Sequence, residues 1–470
     1  MTQQYIPSVK TNPLRRFYTW LLGVNPSVFL FLAAILAMIF ANSALQGTYH
    51  AILNAPVTLE IWGYNFFEIH GRSMTVAEFI NDALMAIFFF SVGLEIKKEM
   101  TIGSLSSFRK AMLPVLAALG GMIVPVLVFL SICHTDPAMR GMAVPMATDI
   151  AFALAVLGLL GDKVPSTLKI FLMALAVVDD IGGILVIAIF YSSGIKLIPL
   201  LIGIGFLFIS FFLGKRGVVR SSVYYLLFFI VWSFFLHSGI HTTIAGVLLA
   251  LTVPHKPTIR PRELFQDLQN MQTKLQYTTQ PEYEMRDFLE TDEIEELRRT
   301  ERRIHRLISP VQVMESETSS VVNYLVLPLF AFANSGITFG GIPMEALLGL
   351  PLAIFLGLLV GKTVGIFGFT YILSKLKLIK LSPGITPKNL FGVSIFGGIG
   401  FTVSLFIATL AYHGLGAEGD LLLNEAKLGI FAGTLVSGAL GYFVLKSILR
   451  TERKHGKGAF SKEYLEYIGR

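Results

Sequence analysis

Three groups of residues place charge or oxygen ligands inside stretches that are otherwise apolar. Thr148 and Asp149 lie in Ala143-Val-Pro-Met-Ala-Thr-Asp-Ile-Ala-Phe-Ala. Asp179 and Asp180 are adjacent in Leu175-Ala-Val-Val-Asp-Asp-Ile-Gly-Gly183, and Lys362 stands in Leu358-Leu-Val-Gly-Lys-Thr-Val-Gly365. An ionisable group deep in a membrane helix costs about 2.5–3.5 kcal/mol on insertion scales, so it is usually kept for function. Carboxylates and hydroxyls are hard oxygen ligands that suit sodium or lithium. Crowded carboxylates also raise one another's proton affinity. Such a pair can hold a proton near neutral pH and a small cation once the proton has left.

Adjacent helical positions point about 100° apart, so Asp179 and Asp180 cannot play one identical role. One can face an ion path while the other faces a neighbouring helix. A buried ammonium at Lys362 must shed its proton or find a carboxylate, and Asp179 and Asp149 are its natural partners. A fixed staple between helices is the plainer role for Lys362; titration coupled to ion binding is the sharper one. Pro145 has no amide donor, so a helix interrupted there exposes free carbonyls and half-helix ends. Gly397-Gly-Ile-Gly-Phe-Thr402 permits similar unwinding in a later segment. Asp82, Glu95, Lys97, Lys98, Glu99, His241 and Glu315 are expected near the cytoplasmic ends, as topology charges and caps or as pH-sensing groups. His237, one helical turn from His241, is expected to share its surroundings.

The elements that must hold these residues are membrane helices. Of 470 residues, 54% are hydrophobic and 15% charged, with a mean hydropathy of +0.67. Too few charges remain to cover a soluble core of that size. Lipid offers the backbone no hydrogen-bond partner, so apolar runs of about 20 residues must be helices. About twelve spans are expected, near 24–42, 77–95, 110–132, 142–160, 167–190, 197–214, 221–236, 240–253, 321–336, 346–373, 390–412 and 426–446. The fold class is therefore all-α and polytopic. Spans three to five and ten to twelve form matched units of opposite sense, each broken in its middle member.

The loops on the side of both termini collect most of the Lys and Arg, which predicts cytoplasmic termini. The net charge of +7 is absorbed by that topology, so nucleic acid is not the expected partner. The charged N-terminal lead ends in no convincing cleavage pattern, and the first apolar run reads as a permanent span. Cys133 is a single cysteine, so no intrachain disulfide can form. No phosphate-binding loop or HExxH-like array points to an enzyme.

The expected organisation is membrane helices over 1–254, a charged helical cytoplasmic insertion over 255–320, membrane helices over 321–450 and a tail over 451–470. Residues 46–73 carry strand-favouring segments around Gly63-Tyr-Asn65 and predict a small external hairpin. In the insertion, Ile294, Leu297, Ile304 and Ile308 form a broken apolar stripe on an otherwise charged helix over 287–308.

Five motifs together resemble the NhaA family of bacterial sodium/proton antiporters. They are Asn81-Asp-Ala-Leu-Met-Ala-Ile-Phe-Phe, Val92-Gly-Leu-Glu-Ile-Lys-Lys-Glu99, Ala147-Thr-Asp-Ile-Ala-Phe-Ala-Leu154, Val177-Val-Asp-Asp-Ile-Gly-Gly183 and Leu327-Pro-Leu-Phe-Ala-Phe-Ala-Asn334. The resemblance implies inverted repeats with two broken, crossing helices. It implies Asp180 as the principal cation- and proton-binding carboxylate, Asp179 as its accessory paired with Lys362, and Thr148 and Asp149 at the crossing. Glu95, Glu99, His241 and Glu315 match positions linked to pH response, and Asp82 matches a further family acid. The 46–73 hairpin matches a dimerisation element. The implied activity is exchange of sodium or lithium outward for two protons inward across the bacterial inner membrane, with no cofactor. His237 and Thr363 depart from the residues familiar at those family positions, and the insertion is longer than is common.

Overall fold

A computed structural model describes residues 24–257 and 308–454, except positions 62–63, 70, 192–193, 339–343 and 380, with scattered positions between 258 and 307. Most of the insertion helix expected over 287–308 lies outside the described residues, as does most of the 451–470 tail; Ile294, Glu295 and Leu297–Arg299 are described, as helix.

Among the described residues, seven helices are long and apolar enough to cross a membrane: Val76–Thr101, Phe108–Ile132, Ser166–Phe190, Leu197–Lys215, Ser221–Ser238, Glu345–Lys375 and Gly416–Lys454. Three bent pairs raise the number to as many as ten. The expected twelve would also need the short Thr242–Thr252 helix and the Pro310–Asn334 run, which is interrupted by a π-helical turn at Val322–Val326. Length and apolarity alone thus support seven to at most ten among the described residues. The outward faces fit a lipid solvent. Leu197–Lys215 buries only Gly203 and Ser210 and leaves Leu197, Ile198, Leu201, Phe208 and Phe212 exposed. In water such an apolar face would be a liability.

The 46–73 region is richer than one hairpin. A helix, Gln46–Leu53, comes first, folded back by 117° from Pro26–Ala41. Two hairpins follow, pairing Glu60–Ile61 with Tyr64–Asn65 and Glu68–Ile69 with Arg72–Ser73. Gly71, at φ 79°, supplies the second turn's left-handed residue. Phe66 and Phe67 pack onto Trp232, which anchors the hairpins to the bundle.

Close helix approach sets the frame of the site. Phe108–Ile132 packs along Glu345–Lys375, where Gly120 faces Gly365 and Gly361 faces Pro125. A Cβ on Gly120 or Gly365 would strike the other helix's backbone, so small residues there let the Lys362 helix come near. A π turn at Gly357–Gly361 directly precedes Lys362. Another, at Ile80–Leu84, contains Asp82. Such turns widen the helix locally and are frequent at functional sites.

Candidate functional site

Two interrupted helices meet in the middle of the bundle. Ala138–Met146 and Ile150–Gly158 are bent by 44° relative to each other, and Pro387–Phe396 and Phe401–Tyr412 by 49°. The first break is extended backbone at Ala147 and Asp149. Its leading half is a 3-10 helix rather than the expected α-helix, and Pro145 near its end lacks an amide donor. The second break lies between Phe396 and Phe401, as the glycine-rich sequence predicted. The two cross closely enough that the Asp149 N–H donates to the Ile399 carbonyl at 2.6 Å.

Asp149 serves both broken helices. Its Oδ1 accepts from the Phe152 N–H at 2.9 Å. Its Oδ2 accepts from the Thr402 N–H at 3.1 Å and the Thr402 hydroxyl at 2.6 Å. One carboxylate thereby caps two helix N-termini, where backbone donors are unpaired and the dipole favours negative charge.

The neighbouring aspartates divide as the helical geometry requires. Asp179 Oδ2 pairs with the Lys362 ammonium, both groups being buried, and Thr148 Oγ1 lies 2.6 Å from the same oxygen. Thr148 Oγ1 is also 3.0 Å from the Gly397 carbonyl, so its one proton has two acceptors within reach. Of Lys362's two candidate partners, the structure selects Asp179. Asp179 Oδ1 is buried without a partner among the described residues.

Asp180 points elsewhere. It lines a cavity of about 210 Å³ together with Asp149, Thr148, Thr402, Glu95 and Glu315. It accepts no hydrogen bond from the described residues, although it is only 4% exposed. At the cavity's rim Lys98 binds Glu315 at 2.9 Å. Four carboxylates thus share one cavity, and among the described residues the Lys98 ammonium stands at its edge. Among the described residues no cluster of His, Cys, Asp and Glu is built to hold a resident metal ion.

The other polar positions separate. Glu99 turns away and accepts from the Ser104 N–H at 2.6 Å. Lys97 caps the last carbonyls of Thr242–Thr252, reaching Leu251 at 2.6 Å. Asp82 and His241 do not stand with Glu95 at one end of the bundle. They line a second cavity, also about 210 Å³, at the hairpin end with Arg72, Glu78, Asn81, Thr409 and His413. His237 is separated from His241 by Gly239, which ends its helix at φ 81°. Its ring faces Phe66 instead. Thr402, the partner of Asp149, was not singled out as a ligand by sequence reading, although the Gly-Phe-Thr run at the second break contained the signal.

Known proteins of similar sequence point to one family. The family model described as Na+/H+ antiporter 1 matches residues 23–445. A Parabacteroides distasonis protein named Na(+)/H(+) antiporter NhaA is 49% identical over 446 residues, covering 95% of this chain and 98% of that relative. One of the same name from Porphyromonas gingivalis is 50% identical, covering 91% and 94%. A Klebsiella pneumoniae protein named Na(+)/H(+) antiporter NhaA 1 is 39% identical, covering 93% and 97%. The charged groups at the crossing therefore sit in a multi-pass membrane protein whose relatives are transporters rather than enzymes, and this chain belongs to the Na+/H+ antiporter 1 family.

Proposed function

We propose that this chain carries sodium or lithium out of the cell in exchange for protons moving in, with Asp180 as the carboxylate for which they compete. One observation supports that assignment most. Asp180 lines an acidic cavity with no hydrogen bond from the described residues, while Asp179 beside it is tied to Lys362 and Thr148. A small cation reaching Asp180 finds hard oxygens on Thr148, Asp149 and Thr402 close by. A proton on Asp180 removes the charge that attracts the cation, so the two exclude each other.

In the proposed cycle one site opens alternately to each side, and binding of either cargo permits the change. Two protons per sodium makes the exchange electrogenic and sensitive to membrane potential. Glu95 and Glu315, on the wall of the same cavity, are the pH-responsive acids best placed to act on Asp180. Asp82 and His241 would act from the hairpin end, and Glu99 through the loop it caps. Lys362 stabilises Asp179 while Asp180 is loaded. The hairpins offer short strand edges to a second subunit, which suits a homodimer. The excess of Lys and Arg on the side of both termini supports a cytoplasmic orientation of that side in a bacterial inner membrane. The chemistry requires no organic cofactor or ATP.

The test is sodium-evoked proton efflux from proteoliposomes across pH, comparing sodium, lithium and potassium. Saturable counterflow with sodium and lithium, and none with potassium, is expected. Passive sodium current without proton movement would replace the antiporter with a channel.

A further inference from the structure

We infer that Glu452 is a positioning residue for the ion site, fixing the half-helix Pro387–Phe396 in place, an assignment that rests on the exchange proposed above. The last helix, Gly416–Lys454, runs past its apolar stretch into Arg450-Thr-Glu-Arg-Lys454. The other four residues of that run are exposed, as charged residues beyond a membrane span should be. Glu452 is 5% exposed. A carboxylate is buried only where donors answer it. Its Oε1 accepts from the Thr386 hydroxyl, and its Oε2 accepts from the Asn389 amide at 3.3 Å. Thr386 is itself the N-cap of Pro387–Phe396, and Asn389 closes the capping box. Glu452 therefore brings a carboxylate to a helix N-terminus, the end whose unpaired N–H groups and dipole favour one.

One helix thus grips both halves of the second broken helix. Thr434, about 27 Å back along Gly416–Lys454 from Glu452, accepts from the Phe401 N–H at 3.2 Å, at the start of Phe401–Tyr412. Between these two grips Leu445 lies against Gly392 and Phe396 against Gly441, where an added Cβ would come within 3.0 Å of the neighbour. Such apolar packing resists separation but sets position along the axis less firmly than directed hydrogen bonds do. The far end of Pro387–Phe396, about 15 Å from its cap, leads straight into the crossing. There the Gly397 carbonyl lies 3.0 Å from the Thr148 hydroxyl, and the Ile399 carbonyl accepts from the Asp149 N–H at 2.6 Å. A shift of this half-helix moves both carbonyls against Thr148 and Asp149, two of the groups offered to the ion. Glu452, itself far from the ion, thereby governs how well those ligands are placed.

Two readings test the grip. In sodium-driven proton flux from proteoliposomes, Glu452→Ala is expected to raise the sodium concentration for half-maximal rate severalfold while changing the maximal rate less than twofold. A lower maximal rate at unchanged half-saturation would overturn the assignment, because lost folding alone gives that pattern. Glu452→Gln still accepts from Thr386 and is expected to recover most of the affinity; a glutamine variant as weak as the alanine one would overturn the hydrogen-bonded hold. The second reading needs no exchange activity. Ser394 is fully buried in the half-helix, and Ser394→Cys in a Cys133→Ser background reports its movement. Glu452→Ala is expected to speed modification of that thiol by a water-soluble maleimide severalfold, and Arg450→Ala, at an exposed neighbour, to leave the rate unchanged. Equal rates with and without Glu452, or equal acceleration by Arg450→Ala, would overturn the assignment. Where Glu452→Ala does not insert, Thr386→Val removes the same bond from the other side and is expected to speed modification likewise; an unchanged rate there would overturn it. Absence of exchange by the unaltered protein would instead defeat the proposed function and leave the thiol comparison readable.

Discussion

The two cavities are alike in size and unlike in what reaches them. The acidic one touches the crossing of two broken helices, so freed helix ends, hydroxyls and four carboxylates converge on it. The hairpin-end one holds Asp82, two histidines and a carboxylate already answered by Arg72, whose guanidinium reaches Glu78 at 3.0 Å. The breaks of the two crossing helices do not open onto it among the described residues, although the π turn at Ile80–Leu84 does. The crossing of two broken helices distinguishes the candidate ion site from a polar vestibule of equal volume.

The largest effect expected from breaking this contrast is at Asp180. Asp180→Asn should abolish sodium-driven proton flux while the protein still inserts; retained exchange with normal sodium affinity would remove Asp180 from its central place. The buried ion pair comes next. Asp179→Asn leaves the Lys362 ammonium without its partner, at a cost of about 3–5 kcal/mol in thermal unfolding. Adding Lys362→Met should recover much of that loss, and a double variant as unstable as the single would contradict the pairing. Asp149→Ala removes a cap from two helices and should cost roughly 1–2 kcal/mol per helix. Asp149→Asn, which keeps an accepting oxygen, should cost visibly less. The hairpin-end pair is the weak counterpart. Arg72 is largely exposed, so Arg72→Ala should cost less than about 1 kcal/mol, and a larger loss would mean that this cavity is structurally linked to the bundle. Smallest of all, deleting residues 260–305 should leave sodium affinity unchanged and move only the pH dependence of exchange. Lost sodium binding in a folded deletion variant would count against that separation.

The candidate site was largely legible because membrane burial makes charge conspicuous. Asp149, Asp179, Asp180 and Lys362 stand out against apolar neighbours, and Pro145 and Gly397–Gly400 mark where backbone must open. The residues alone left Lys362 two natural partners, and the family resemblance already implied Asp179; the packing of Gly120 on Gly365 helps bring the Lys362 helix there. The π turns at Ile80–Leu84 and Gly357–Gly361 leave hydropathy unchanged and so carry no periodic signal. Asp82 and His241 were misplaced for another reason. They open segments that begin at the hairpin end, as the expected spans 77–95 and 240–253 already imply; grouping them with Glu95 by charge type obscured it. Strand-favouring residues in 57–69 revealed extended structure, but the division into two hairpins depends on the turn at Gly71.

Proton release on sodium binding to the purified protein tests the competition most directly, measured by titration in buffers of different ionisation enthalpy. Bound sodium should displace protons, and where one proton competes its apparent affinity should weaken about tenfold for each pH unit of acidification. Sodium uptake that liberates no proton at any pH would contradict a shared carboxylate.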